Sequence, residues 1–379
     1  MLGVDFRSAY REFLKDVRKQ PASGGMHMAK ARAWVIALVT GLVLCAVIVA
    51  HGSSSAQTND VQSITLKFAT NLPATHYLSV QGDIVFMDKV KSLSGGKIQI
   101  QYFPNDELGK AADMVTMANS GIADVVAGSP PYVSSLMPLS NAFDLPAMLP
   151  NADVGTKAYN KVANDPNSVI AKRDFQANHL HFLYAATLPL YQIVTVKTPI
   201  KSIADLKGMR IRSGGGAEDL VVRALGGVPV TMARSEDYNA FQRGALDGGI
   251  FNLPSIHVNK VDEVCHYATT NANVSSFVYA VEISERTWNT LNPATQKVIS
   301  QAAAAAAQSL GSNMVSDNEK AITFLKNQGM TFTTLSASDK AQLTQMLQPV
   351  WSRWQDDMKS RGLDGAAAIK EVQAAVKST

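Results

Sequence analysis

The chain is poor in cysteine, in net charge and in catalytic motifs. Its 379 residues include two cysteines, Cys45 and Cys265. Cys45 falls inside the apolar run AWVIALVTGLVLCAVIVA, Ala33 to Ala50. Removal of that run leaves Cys265 alone and excludes an internal disulfide. The remaining length, about 320 residues, is ample for a protein held together by core burial alone. Cys265 reads as a small buried apolar residue.

The apolar run carries no charge; Lys30 and Arg32 precede it and SSSAQT follows. A basic start, an apolar core and small residues at Ser54 and Ala56 predict a secretory signal cleaved after Ala56. An uncleaved anchor is the competing reading, since a run of this length just reaches across a bilayer; the small-residue exit favours cleavage. Leu44, ahead of Cys45, is too large for a lipid-attachment box. The first 25 residues are polar and mixed in charge. They do not suit a signal peptide and point to initiation at Met26 or Met28.

The formal charge of +4 belongs to this leader. Residues 1–56 hold seven Lys/Arg and three Asp/Glu; taking them from totals of 35 and 31 leaves 28 of each. A neutral mature chain offers no basic face for nucleic acid. No Gly-x-Ser-x-Gly, HExxH or P-loop occurs. His179 and His181 in HLH form a possible metal pair, but Leu180 and Phe182 look like core and no third ligand lies near, so a structural role is expected. Asp247-Gly248 reads as a turn rather than a catalytic acid.

What is present is an alternation of strands and helices. ITLKFAT alternates as a half-buried strand does. A helix with Val80, Ile84, Met87 and Val90 on one face follows and stops at Gly95-Gly96. KIQIQYF is a strand, KAADMVTMANSG a helix and ADVVAG a short buried strand, which together predict an α/β lobe with parallel pairing. LHFLYAA, YQIVTV, MRIRS, VPVTM and SFVYAVEI are further strands, with a helix over Glu218 to Leu225. Ser235 is expected to cap a helix whose first turn holds Glu236 and Asp237. Asn292-Pro293 opens a helix with no breaker before Gly329. At 1.5 Å per residue its roughly 36 residues make a rod near 54 Å, enough to brace two lobes. Gly311 and Ser312 are its weak point. Ser336 to Asp339 resembles a capping box ahead of a last long helix bearing Trp351 and Trp354. Two α/β lobes suggest a cleft between facing sheets, with ligands at the carboxyl ends of strands.

Arg212 ends the strand MRIRS and is followed by Gly214, Gly215 and Gly216. Its planar fork suits a carboxylate. On these residues alone a structural salt bridge, with Asp205 or Glu218, competes with a ligand role and is the weightier reading.

The stretches DLKGMRIRSGGG, ALGGVPVTMARSEDYNAFQRGALDGGIFNLPS and FATNLPATHYLSVQGDIVFMDKVKSLSGGKIQIQYFPNDELGKAADMVTMANSGIADV resemble solute-binding proteins of tripartite ATP-independent periplasmic (TRAP) transporters, the DctP family. The resemblance covers nearly all of Ile64 to Gly362. It implies an α/β, two-lobed periplasmic binding protein fold of type II-like character. Lobe I would span 64–187 plus 272–315, and lobe II 188–271 plus 316–379, with the C-terminal helices packed across both.

The resemblance also implies that Arg212 pairs with a ligand carboxylate. Asn71 matches a pocket residue, or else starts a turn before Pro73. Tyr191 stands at a second polar position, or else is a core tyrosine. Ser129 and Tyr132 fall in a loop that faces the cleft. Phe251 and Asn252 are offset by one, and either lines the pocket. Arg234 is a second cation near the ligand or a solvated arginine at a helix start; the nearby Glu236 and Asp237 favour solvation. Relatives that bind acidic sugars often show an additional acid and arginine where this chain has Ser129 and Tyr132, so a smaller or more apolar acid than sialic acid is expected. By the same resemblance the chain is a non-enzymatic periplasmic receptor; a monomer is expected, and no cofactor or metal ligand is assigned. Its partners would be a small organic acid and the small and large TRAP permease subunits. A receptor for an ATP-driven (ABC) importer or a sensor kinase, and a secreted enzyme on the same scaffold, are the competing readings.

Overall fold

A computed structural model describes residues 60–379. The apolar run, the expected cleavage site and the segment before the run lie outside the described residues. The strands are β1 (Ile64–Ala69), β2 (Ile98–Phe103), β3 (Val125–Val126), β4 (Leu180–Thr187), β5 (Gln192–Thr195) and β6 (Arg210–Ser213). They continue with β7 (Val228–Thr231), β8 (Gly248–Phe251), β9 (Tyr267–Thr269), β10 (Val278–Ser284) and β11 (Thr331–Thr333). One sheet has the order β2-β1-β3-β10-β4; the other has β11-β9-β5-β8-β6-β7.

In the first sheet β1 pairs in parallel with β2 and β3, as the strand–helix alternation predicts. The sheet is nevertheless mixed, because β10 runs antiparallel to both β3 and β4. β10 returns from the second sheet and enters from the opposite end. The second sheet is mixed for a similar reason: β6 is parallel to β7 and β8, while β5 is antiparallel to β8 and β9.

The helices are α1 (Ile84–Leu93), α2 (Met114–Ser120), α3 (Ala152–Asn164), α4 (Ala217–Ala224), α5 (Asp237–Gln242), α6 (Pro254–Val258) and α7 (Glu285–Trp288). Three more close the chain: α8 (Pro293–Asn327), α9 (Ala337–Ser360) and α10 (Gly365–Lys377). α1 is entered through a π-turn over Ser79–Asp83. The wider turn rotates the face expected from Val80, Ile84, Met87 and Val90. Val80 is exposed, and the buried line runs through Ser79, Asp83, Phe86 and Val90 instead. Asp83 tolerates this position because the hydroxyls of Tyr102, Tyr184 and Tyr279 donate to it at 2.8, 2.9 and 2.7 Å.

α8 begins as predicted, with the Asn292 side chain accepting from Thr295 N and proline at the first turn. It runs 35 residues without a break at Gly311. A Cβ there would touch Thr156 of α3 at 3.5 Å, so the glycine marks close packing. Ile299, Ala302, Ala306 and Leu310 belong to the main core, which surrounds the first sheet and continues to Ile193, Ile211 and Ile250 of the second. Leu325, with Ala321 and Ile322 against it, belongs to the cluster beneath part of the second. One rod thus joins both cores. Ser336 caps α9 by accepting from Asp339 N, and Trp354 on that helix is buried.

Candidate functional site

The two sheets face each other with the carboxyl ends of β1, β3, β6, β7 and β8 turned toward a common gap. Asn71 lies just past β1, Ser129 just past β3, and Arg212 within the last turn of β6. Arg234 follows β7; Phe251 and Asn252 end β8. Tyr191 joins them from the other direction: β5 is antiparallel, and Gln192 pairs with Phe251, so the residue before β5 sits beside the end of β8.

A narrow cavity of about 20 Å³, room for roughly one water, lies here between the lobes. Its wall includes Asn71, Ser129, Tyr132, Tyr191 and Arg234, together with His76 and Ser255, which the sequence reading did not single out. Leu72, Leu78, Leu188 and Phe277 complete much of its apolar side. Arg212, Phe251 and Asn252 stand in the layer behind. A larger groove of about 620 Å³, between residues 146–150 and α9, is mainly apolar. No buried side chain lining it lacks a hydrogen-bond partner.

Arg212 is completely buried and makes an ion pair with the chain's own carboxylate. Its Nε donates to Asp237 Oδ1 at 2.9 Å, and Nη2 donates to Met232 O at 2.8 Å and to Tyr132 Oη at 3.4 Å. Nη1 lies 3.8 Å from Glu218 Oε2 and makes no hydrogen bond. Of the two internal partners considered from sequence, Glu218 is the near one. Asp205 instead accepts from Lys201 N and Ser202 N in a capping box.

Arg234 is 5 % exposed, so the expected solvated arginine is corrected. The reason is Asp237: it turns inward rather than to solvent and is completely buried. Arg234 Nη1 donates to Asp237 Oδ2 at 3.3 Å, and Nη2 donates to Tyr191 Oη at 3.1 Å. Its guanidinium lies over the Phe251 ring, 4.4 Å from the centroid, with the Arg212 guanidinium at 5.6 Å. Ser235 does not cap the following helix; Asp237 itself opens α5, after a short 3₁₀ turn over Arg234–Glu236.

Burial alone pushes the Asp237 carboxyl upward, while Arg212 and Arg234 pull it back. A carboxylate accepting from two guanidiniums is the ionised form. Burial works against the Arg212 charge, but Asp237 together with Tyr132, Glu218 and Tyr191 outweighs it and holds the guanidinium protonated. Glu218 is pushed up to about 7 by burial, with Arg212 opposing.

Asn252 ties the two halves together. Its Oδ1 accepts from Tyr77 Oη and from Ser255 N, each at 3.1 Å. The three glycines after β6 serve the same seam. A Cβ on Gly214 would come within 2.8 Å of Phe277, and one on Gly216 would collide with Asn141 Oδ1. The bare backbone therefore admits the facing half of the protein.

The histidines of HLH do not share a strand face. His179 takes a left-handed conformation before β4, and His181 stacks on Trp288 at 3.8 Å. Among the described residues no group of three His, Cys, Asp or Glu side chains is placed to hold a metal. Asp247 accepts from Arg210 Nε and Nη2 at 3.0 and 2.8 Å, and Gly248 opens β8.

Two mixed α/β sheets with a polar cavity at their facing strand ends define a two-lobed binding protein. The chain belongs to the DctP family of bacterial extracellular solute-binding proteins, family 7, whose model matches residues 68–357. It is similar to a solute-binding protein of Roseobacter denitrificans, 28% identical over 79% of this chain and 90% of that one. It is also similar to the C4-dicarboxylate-binding periplasmic protein DctP of Rhodobacter capsulatus, 26% identical over 83% of this chain and 92% of that one. Its fold matches the crystal structure of a TRAP solute-binding protein from Rhodoferax ferrireducens in complex with copurified benzoate. That match has a TM-score of 0.76 at 23% identity and covers 83% of this chain and 98% of the other.

Proposed function

We propose that the protein is the extracytoplasmic receptor of a TRAP transporter and closes over a small organic acid held between its lobes, delivering it to a membrane permease pair without chemical change. The two lobes hinge where the chain passes between sheets, near residues 187–188 and 271–272. One observation carries the reading. The cavity has Arg234 on its wall and Arg212 behind it, both from the second sheet, and faces buried donors from the first: Asn71 Nδ2 and His76 Nε2, like Arg212 Nη1, are buried and make no hydrogen bond within the protein. Leaving a donor unpaired costs about 1–3 kcal/mol. A carboxylate supplies acceptors for several of them at once. Arg212 pairs with it through Nη1, the nitrogen of its fork that makes no hydrogen bond in the protein and has only Glu218 Oε2, at 3.8 Å, near it. Relatives that bind C4-dicarboxylates and benzoate agree with an anionic ligand.

Thermal-shift screening against small organic acids, followed by calorimetry and small-angle X-ray scattering, tests this. A true ligand at a hundred times its Kd stabilises the folded form by about 2.7 kcal/mol and lowers the radius of gyration. A panel of mono- and dicarboxylates that produces neither effect overturns the reading.

A further inference from the structure

We propose that His76 is a specificity-determining residue of this cavity: its Nε2–H donates to an uncharged oxygen of the ligand, so that the site selects a monocarboxylate bearing a hydroxyl or carbonyl beside the carboxylate. The inference rests on the reading of the cavity as the ligand site.

His76 is 1 % exposed and lines the cavity. Its Nδ1 accepts from Leu78 N at 3.2 Å. A neutral imidazole with an acceptor at Nδ1 carries its proton on Nε2. That Nε2 is buried and makes no hydrogen bond in the protein. The ring is stacked on Tyr77, 4.6 Å between centroids, and the Tyr77 hydroxyl is tied to Asn252 across the gap. The donor is therefore fixed in tautomer by the backbone and in position by its neighbour.

Charge decides what the donor can serve. Burial, and then the positive charge of Arg234, push His76 down to about 3, so the imidazole is neutral at physiological pH. Among the residues lining the cavity Arg234 is the charged one, and Arg212 stands behind it at the same end, both guanidiniums lying against the Phe251 ring. A single carboxylate satisfies the guanidinium end. A second carboxylate would be buried against a neutral imidazole, an asparagine and leucines without a compensating cation, which is costly. A hydroxyl or carbonyl oxygen satisfies the same N–H at no such cost. The two ends belong to different sheets, so a ligand with both groups engages both lobes.

The test uses calorimetry on the purified protein with matched pairs: lactate against propionate and mandelate against phenylacetate, with succinate as the dicarboxylate. In at least one pair the hydroxy acid is expected to bind about tenfold or more tighter than its deoxy partner, the scale of one buried hydrogen bond. His76→Leu is expected to erase that preference, and His76→Gln, which keeps a neutral donor, to retain most of it. Succinate is expected to bind more weakly than the preferred hydroxy acid. Equal affinities within both pairs, a preference that survives in His76→Leu, or tighter binding of succinate overturns the inference. Arg234→Met separates the two levels. If it abolishes acid binding while His76→Leu changes nothing, the cavity remains the site and only the role of His76 falls. If no acid of the panel binds, or if Arg234→Met binds like wild type, the cavity reading falls and the inference with it.

Discussion

Arg212 and Asp237 form a fully buried ion pair, Nε to Oδ1 at 2.9 Å, in which Asp237 also accepts from Arg234. The arginine expected to wait for a ligand is already anchored by the protein. A fixed guanidinium spends little entropy on binding, and the same anchoring makes it a structural residue.

Arg212→Ala should therefore have two effects. It should weaken acid binding by about 3–5 kcal/mol, and destabilise the ligand-free fold on a similar scale by leaving Asp237 without its direct partner. Arg212→Lys should also bind poorly, because an ammonium cannot copy the fork. Denaturant unfolding beside calorimetry checks both; an unchanged midpoint for Arg212→Ala would show the pair to be dispensable for stability.

Asp237→Asn should leave two guanidiniums beside a neutral amide. The loss of stability should again reach about 3–5 kcal/mol, although Asp237 is not on the cavity wall. The double variant Arg212→Met/Asp237→Leu should recover part of it, since removing both charges relieves the burial cost. A cycle in which the double variant is no better than the sum of the singles would contradict the coupling.

Gly216→Ala tests the seam between the halves. Gly216 has φ +57°, and a Cβ there would collide with Asn141 Oδ1. The expected loss exceeds about 1 kcal/mol, since the backbone is unfavourable for alanine and the neighbour is buried. Adding Asn141→Ala should return the steric part only, as read by thermal unfolding.

Several buried acids are pushed upward. Burial takes Glu282 to about 8, against one hydrogen bond from Gly128 N, and takes Asp83 to about 6 against three tyrosine hydroxyls. Each binds its proton more tightly folded than unfolded. Their contribution to stability is therefore full below about pH 4, the ordinary carboxyl range, and falls as pH rises through 6 to 8. Glu282→Gln should flatten this decline and raise the unfolding midpoint relative to wild type above pH 8. A steeper decline in the variant would reverse the assignment.

Cys265 is buried, and burial pushes its thiol upward. Alkylation of the Cys265 peptide, followed by mass spectrometry, should be negligible in the folded protein and rapid in denaturant. Rapid labelling of native protein would show that the cluster around it opens.

The strand and helix order was legible in the sequence because period-two and helical patterns, glycine stops and the Asn292-Pro293 start are local signals. Asn71, Ser129, Tyr132 and Tyr191, singled out by the family resemblance, line one cavity with Arg234. Three things were not legible. The π-turn moved the buried face of α1 onto Asp83, because a single extra residue per turn leaves no trace in composition. Arg234 was left between a place near the ligand and one in solvent, with solvent favoured, because proximity to Glu236 and Asp237 in the chain does not tell which acid turns inward. His76 looked like any loop histidine, and its role depends on a backbone N–H two residues on and on walls contributed by the other sheet.

The sequence by itself determined the elements, the family and the residues that end the strands, since those depend on neighbours along the chain. The tertiary structure decided which charges are paired, which donors are left facing the cavity and which glycines admit the opposite lobe. Those depend on side chains some 25 to 200 residues apart meeting in a dry interior, where pairing, desolvation and contact distance are set by the whole fold.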